Sequence, residues 1–144
     1  MHVVVCTVVH HPADARIFYR EIQALLDAGH DVTYIAPHGE LASQAIVAAA
    51  GAADDSANGP GGGQGAGRQG TLIAVPIPRA SGRQRLGALR AARAAMAEQS
   101  PGADLLLVHD PELLLVLPPR RKRPPTVWDV HEDTAAALTT KAVW

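Results

Sequence analysis

The stretch LLLVHDPELLLVL, residues 105–117, runs from apolar to the four residues His109, Asp110, Pro111 and Glu112 and back to apolar. Burial of a polar group without a partner costs about 1–3 kcal/mol, and burial of a charge costs more. We therefore expect these four residues to lie outside the hydrophobic core, on a turn between a strand at 103–108 and a helix. Because proline favours the first turn of a helix, the helix is predicted to begin at Pro111 and to end in the basic segment at 120–123.

The alternation of strand and helix extends over the rest of the chain. Short apolar runs predict strands at 3–9, 31–37, 71–78, 103–108 and 125–130. Strands that alternate with helices are typical of an α/β fold with a parallel sheet and helices on both faces. The length of 144 residues fits one domain.

The helical segments carry their own start and stop signals. Asp14 is expected to cap a helix that Gly29 ends, and its apolar stripe is Phe18, Ile22, Leu25 and Leu26. A helix at 81–99 should turn Leu86, Leu89 and Met96 towards the core. Further helices are predicted at 40–50 and from Glu132 onwards. The last one reaches Trp144 with neither cap nor glycine, so we expect the chain to be part of a longer protein.

Composition narrows the class of protein. Hydrophobic residues make up 47% of the chain, the formal net charge is −1, and Cys6 is the single cysteine. An internal disulfide is therefore impossible, which suits a reducing cytoplasm. No signal peptide is recognisable, and no apolar run approaches the ~18 residues of a membrane span. Nucleic acid is disfavoured as a partner because neither net positive charge nor interleaved aromatic residues are present.

The segment from Gly51 to Gly70 is nearly half glycine and has no large apolar residue. We interpret it as a flexible surface loop; either it is an insertion without function or it acts as a lid over an acceptor.

Polar residues gather after three of the predicted strands. The turns are HHPADAR at 10–16, HDPE at 109–112 and HED at 131–133. The carboxyl ends of parallel strands share one edge of a sheet, and ligands of open α/β folds bind at that edge. Acidic residues there can serve as helix caps alone. The histidines have no such capping value, and four of them belong to these turns: His10, His11, His109 and His131.

A metal site is one alternative for these turns. His109 with Asp110, and His131 with Glu132 and Asp133, offer ligand types suited to zinc or manganese, as in a metal-dependent hydrolase. No motif with fixed ligand spacing supports it, so we expect no metal. The first turn also lacks G-x-G-x-x-G, which argues against a typical dinucleotide-binding fold. The chain has no G-x-S-x-G elbow, so nucleophilic catalysis by serine has no support.

Three segments, HHPADARIFYREIQALLDAGHDVTYIAP, LLLVHDPELLLVL and TVWDVHEDTAAALTTKAVW, occur in this order along the chain. Together they resemble the N-terminal domain of a family 4 glycosyltransferase of the GT-B fold. The resemblance implies a Rossmann-like domain, a retaining reaction and a nucleotide-sugar donor as substrate rather than a cofactor. It further implies a separate C-terminal domain that holds most of the donor, while this half binds a glycan, lipid-linked or small-molecule acceptor.

Carried over by position, the resemblance assigns roles to residues of the three turns. His109 and Glu112 are the predicted catalytic residues, with His109 donating to a sugar hydroxyl or the departing phosphate. The predicted acceptor-binding residues are His11, Asp14, Arg16, Asp110, His131 and Glu132. Many members of the family carry a glycine pair in the first turn, whereas this turn has no glycine, which argues against a backbone contact with the donor phosphate.

The sequence contains two basic clusters. Arg83, Arg90 and Arg93 lie along one predicted helix, and residues 120–123 form the second cluster. They are either a solvated surface or an attachment to an anionic membrane at the cytoplasmic face. A ligand-binding module without catalysis is the remaining alternative for the whole chain.

Overall fold

The computed structural model describes residues 1–38 and 69–130. The strands are β1 (His2–Cys6), β2 (Asp31–Pro37), β3 (Leu72–Ile77), β4 (Leu105–Val108) and β5 (Thr126–Trp128). All of them pair in parallel, in the order β3-β2-β1-β4-β5. The predicted strands are thus confirmed, with ends that differ by up to three residues. This order, in which the chain returns to the middle of the sheet, is that of a Rossmann-like domain.

Each face of the sheet has its own core. Val4 and Cys6 of β1 belong to a cluster with Leu106 and Val108, whereas Val3 and Val5 belong to a second cluster with Tyr34. Successive residues of a strand point to opposite faces. A strand buried on both faces must therefore be apolar throughout, which explains the run of valines.

A helix covers the face on which Val3 and Val5 lie. It comprises a π-helical segment, Ile17–Ile22, that continues into α1 (Gln23–Asp27). It ends at Gly29, where the backbone N–H groups of Gly29 and His30 donate to the carbonyls of Leu26 and Leu25 (both 2.9 Å) and Gly29 has a φ of 78°. This is a Schellman motif, and it confirms the predicted stop.

The opposite face is covered by α2 (Arg85–Gln99), which follows a short 3₁₀ turn, Gly82–Gln84. Its buried residues are Ala88, Leu89, Ala92, Ala95 and Met96. Leu86 is 69% exposed, so its predicted place on the apolar side is wrong. The reason is angular: at 100° per residue, Leu86 lies about 160° around the helix from the buried Ala88.

The helix predicted from Pro111 to the basic segment does not form. A 3₁₀ helix, Pro111–Leu115, buries Leu113 but leaves Leu115 83% exposed. Pro118 and Pro119 follow, and then a second short 3₁₀ turn, Arg120–Lys122. Proline lacks an N–H group and disfavours helical conformation in the residue before it, so the two prolines separate the segments.

Some predictions fall outside the described residues. These are the helix at 40–50, most of the glycine-rich segment at 51–70, the helix after Glu132, and the site residues His131 and Glu132. In the part that the structure describes, every helix is too short or too polar to cross a membrane.

Candidate functional site

Backbone hydrogen bonds extend the sheet beyond the ends of its central strands. His109 N–H donates to the carbonyl of Cys6 (3.2 Å), and Asp129 N–H donates to that of Val108 (3.0 Å). His109 after β4 and Asp129 after β5 are therefore neighbours at the carboxyl edge. This edge is next to the gap between β1 and β4, where the strand order reverses and where open α/β sheets bind ligands.

His109 is enclosed between two carboxylates. Its Nε2 lies 3.0 Å from Glu21 Oε1, and its Nδ1 lies 3.4 Å from Asp129 Oδ2. The imidazole is 0% exposed, whereas the side chains of Glu21 and Asp129 are 25% and 38% exposed. In this cluster, solvent therefore meets the two carboxylates, and the ring lies behind them.

The imidazole can donate a hydrogen bond to one or to both carboxylates, depending on how many protons it carries. A neutral ring carries a single N–H and donates either to Glu21 or to Asp129, while a doubly protonated ring donates to both. Each remaining carboxylate oxygen is an acceptor, which suits hydroxyl groups of a ligand. The cluster is thus able to orient a polyol through two acceptors held by one ring.

Asp110 ties the turn after β1 to the end of β4. Its Oδ2 accepts hydrogen bonds from Thr7 Oγ1 (2.8 Å), Val8 N–H (2.6 Å) and Val9 N–H (3.3 Å). Asp110 and His109 are each 3% exposed, so the expectation that they lie outside the core is wrong. They do lie on the predicted turn, but their partners make burial tolerable.

His10 and Asp14 belong to the first turn, and His10 lies beside Asp110. His10 Nε2 is 3.4 Å from Asp110 Oδ1, and its Nδ1 is 3.8 Å from Asp14 Oδ2. Asp14 Oδ1 accepts hydrogen bonds from the N–H groups of Arg16 (2.9 Å) and Ile17 (3.2 Å) and so caps the helix as predicted. Burial would raise the pKa of Asp14, but these hydrogen bonds and the charges of His10 and Arg16 lower it overall.

The other predicted site residues have different surroundings. Glu112 forms an ion pair with Arg85 of α2, whose Nη2 lies 2.8 Å and 3.0 Å from its two carboxylate oxygens. That carboxylate raises the pKa of the Arg85 guanidinium. His11 is exposed and its Nδ1 accepts from Ala13 N–H (3.1 Å), and Arg16 is exposed.

Two buried groups near this edge have weakened acidity. Burial, with the Asp110 carboxylate adding to it, raises the pKa of the Cys6 thiol, which makes Cys6 a poor nucleophile. Burial and the surrounding carboxylates likewise raise the pKa of Tyr34. The Tyr34 hydroxyl donates to the carbonyl of Pro12 (3.1 Å) and so holds the first turn over β2.

Sequence reasoning missed Glu21 and Asp129. Asp129 follows Trp128, the last residue of β5, but the predicted strand ran on to Val130 and placed Asp129 inside it. Glu21 is three residues after Phe18 and four before Leu25, so an acid stands within the apolar stripe. A charged residue on the apolar side of a helix indicates that its side chain has a polar partner in the interior, and this was the signal for Glu21.

The same three residues have the chemistry of metal ligands. One ligand atom from each of Glu21, His109 and Asp129 lies within 4.8 Å of the others. Carboxylate and imidazole together suit zinc or manganese. An ion at one ring nitrogen would replace the contact that this nitrogen now makes with a carboxylate.

An open parallel α/β sheet with the strand order β3-β2-β1-β4-β5 defines a Rossmann-like domain. A sequence model for the glycosyl transferase 4-like domain matches residues 15–143. The chain therefore belongs to this family of glycosyltransferase domains, as its resemblance predicted. Comparisons with curated proteins and with solved structures gave no match.

Proposed function

We propose that this chain is the acceptor-binding half of a retaining glycosyltransferase, which transfers a sugar from a nucleotide-sugar donor to a glycan, lipid-linked or small-molecule acceptor. Membership of the family supports transfer of a sugar. The observation that carries the acceptor side is the enclosed His109 between Glu21 and Asp129 at the switch point.

In this proposal the two carboxylates bind sugar hydroxyls. Glu21 and Asp129 each present acceptor oxygens to solvent, and the ring of His109 fixes their positions from behind. Preorganised acceptors orient a nucleophilic hydroxyl without rearrangement during the reaction. His109 thereby acts on the sugar through the carboxylates that it holds.

The charge of the described edge argues for a second domain that holds the donor diphosphate. Glu21, Asp110 and Asp129 are acidic, and like charges repel a diphosphate. Arg16 is an exposed cation in the first turn and is proposed to contact the donor or an anionic acceptor. The chain's own C-terminal domain supplies the remaining donor contacts in this proposal.

The other predicted residues keep proposed roles. Asp110 and Asp14 act by shaping the first turn, through the hydrogen bonds that they accept. Glu112 is proposed as a catalytic residue and His11, His131 and Glu132 as acceptor contacts. Peripheral attachment to an anionic membrane at the cytoplasmic face, through exposed Arg90 and Arg93 and the segment 120–122, belongs to the same proposal.

The test uses the full-length product of the gene and a panel of nucleotide-sugars, with release of nucleoside diphosphate as the readout. We expect His109→Ala to lower kcat/KM at least about tenfold, or ~1.4 kcal/mol of transition-state stabilisation. Glu21→Gln and Asp129→Asn should lower it similarly and raise the KM of the acceptor. Failure to consume any nucleotide-sugar contradicts the proposal.

Matched controls separate the site from the fold. His30→Ala, at the amino edge of the sheet, and Glu98→Gln, exposed on α2, should leave turnover within about twofold because surface changes away from the site have small effects. Arg85→Met breaks the same ion pair as Glu112→Gln. If Glu112 is catalytic, only Glu112→Gln lowers kcat; equal effects assign both residues to structure.

A metal-dependent hydrolase is a second candidate, favoured by the ligand atoms of Glu21, His109 and Asp129. Metal analysis of the purified protein distinguishes it: near-stoichiometric zinc or manganese that is lost in Asp129→Asn supports the hydrolase. Transfer activity that survives chelation supports the glycosyltransferase.

A further inference from the structure

A basic groove lies at the amino edge of the sheet, opposite the candidate site. One wall is the end of α2 and the turn that follows, residues 100–103, and the other is the proline-rich segment that contains Pro118, Pro119 and residues 121–124. The groove has a volume of about 570 Å³. Residues 100–103 precede β4, whereas His109 follows it, so the length of the strand, roughly 13 Å, separates the two places.

The charge of this groove is of one sign. Arg121, Lys122 and Arg123 line it, and none of the lining residues is acidic. A second depression, about 460 Å³, is lined by Arg120 and shares Arg123 and Pro124 with the first. Like charges on neighbouring residues repel one another, and an anion between them relieves that repulsion.

The side chain of Arg123 is held in place. Its Nη1 donates to Thr126 Oγ1 (2.6 Å), and the same hydroxyl donates to the carbonyl of Pro124 (3.2 Å). Among the described residues, the buried Nε of Arg123 has no acceptor. A fixed guanidinium with donors to spare loses little entropy when it binds an oxyanion and matches the geometry of phosphate.

Ser100 supplies a second buried donor in the same groove. The residue is 2% exposed, and its Oγ has no hydrogen-bond partner in the described part of the chain. An unsatisfied buried hydroxyl costs about 1–3 kcal/mol, so a purely structural residue at this position would better be alanine. Ser100 and Arg123 thus bring two unpaired buried donors to the lining of a groove whose other cations are Arg121 and Lys122.

From these observations we propose that the groove binds a phosphate-type anion. Arg123 and Ser100 hold the oxyanion by hydrogen bonds, and Arg121 and Lys122 neutralise its charge. The phosphate belongs either to a small soluble molecule or to a lipid headgroup. The site lies at the other edge of the sheet from His109, and it shares Arg121 and Lys122 with the membrane attachment proposed above.

Titration of the whole chain with inorganic phosphate, followed calorimetrically at constant ionic strength, tests the proposal. We expect Arg121→Ala with Lys122→Ala to weaken binding at least about tenfold. The control, Arg90→Ala with Arg93→Ala on the exposed side of α2, removes the same charge and should change affinity less than about twofold. No binding by the wild type, or equal losses in the two double variants, overturns the proposal.

Ser100→Ala separates a built site from general attraction of anions. It should weaken phosphate binding about threefold or more without lowering the thermal midpoint of unfolding, since it removes an unpaired hydroxyl. Unchanged affinity contradicts the role of Ser100.

Phosphatidylcholine vesicles with and without phosphatidic acid identify the source of the phosphate. Binding that needs phosphatidic acid and the Arg121–Lys122 pair supports a lipid headgroup. Binding of inorganic phosphate without vesicle binding supports a soluble ligand.

Discussion

At the scale of single residues, the polar side chains at the end of β4 are buried but each is paired. Asp110 accepts three hydrogen bonds from the turn after β1, and His109 lies between the carboxylates of Glu21 and Asp129. The energy that would be lost by burying them alone is recovered by these partners. The residues that carry the candidate site therefore also hold its loops together.

Asp110→Ala should destabilise the fold by at least ~2 kcal/mol, because it leaves the buried hydroxyl of Thr7 and the buried N–H group of Val8 without an acceptor. Urea denaturation of the whole chain measures this. Asp110→Asn keeps an acceptor oxygen and should recover part of the loss. Glu98→Ala, an exposed acid, should change stability by less than ~0.5 kcal/mol, and an equal effect of Asp110→Ala would contradict the assigned role.

At the scale of elements, local signals placed the first helix correctly and the one after β4 wrongly. Asp14 and Gly29 mark the ends of the first helix through hydrogen bonds to nearby backbone groups. After β4, Pro111 favours a helix start, but Pro118 and Pro119 stop its continuation, and only a 3₁₀ helix forms. The apolar stripe of this helix does not distinguish the π-helical segment that carries Glu21 from an ordinary α-helix.

Asp14→Ala should lower the free energy of unfolding by about 1 kcal/mol at neutral pH, through loss of the cap. Since folding lowers the pKa of Asp14, its carboxylate stabilises the fold above the unfolded value of about 3.9, and this contribution is lost as pH falls through the folded value. The difference between wild type and Asp14→Ala in urea denaturation should therefore shrink on acidification. Asp14→Asn, which still caps, serves as the control; a difference that is constant with pH contradicts the prediction.

At the scale of the whole molecule, β1 is the centre of both cores. Its neighbours in the sheet are β2 and β4, and helices pack on both faces. Cys6, at the carboxyl end of β1, is 0% exposed, and its thiol becomes accessible only when these layers separate. Reactivity of this residue therefore reports on opening of the whole domain.

Cys6 is the single cysteine, so a thiol reagent reads it without ambiguity. In native buffer we expect labelling at least ~100-fold slower than in denaturant, because burial protects the thiol and raises its pKa. The rate should rise with urea in parallel with loss of helical circular dichroism. Rapid labelling of the folded protein would show that the sheet opens locally at β1.

The sequence by itself determined the class of fold, the place of the candidate site and the family. Runs such as residues 3–8 are apolar because a central parallel strand is buried on both faces, and such a strand can be recognised from the sequence alone. The place of the polar turns could also be predicted from the sequence, because parallel strands bring their carboxyl ends to one edge of the sheet.

Only the tertiary structure decided which polar residues meet. Glu21 and Asp129 are 108 residues apart in the chain, yet both contact His109, because β4 and β5 are adjacent and the helix after β1 crosses the same edge. Pairing between distant segments depends on sheet order and helix placement, which local patterns do not encode. The buried contacts of Asp110 with the first turn and of Glu112 with α2 followed from that packing in the same way.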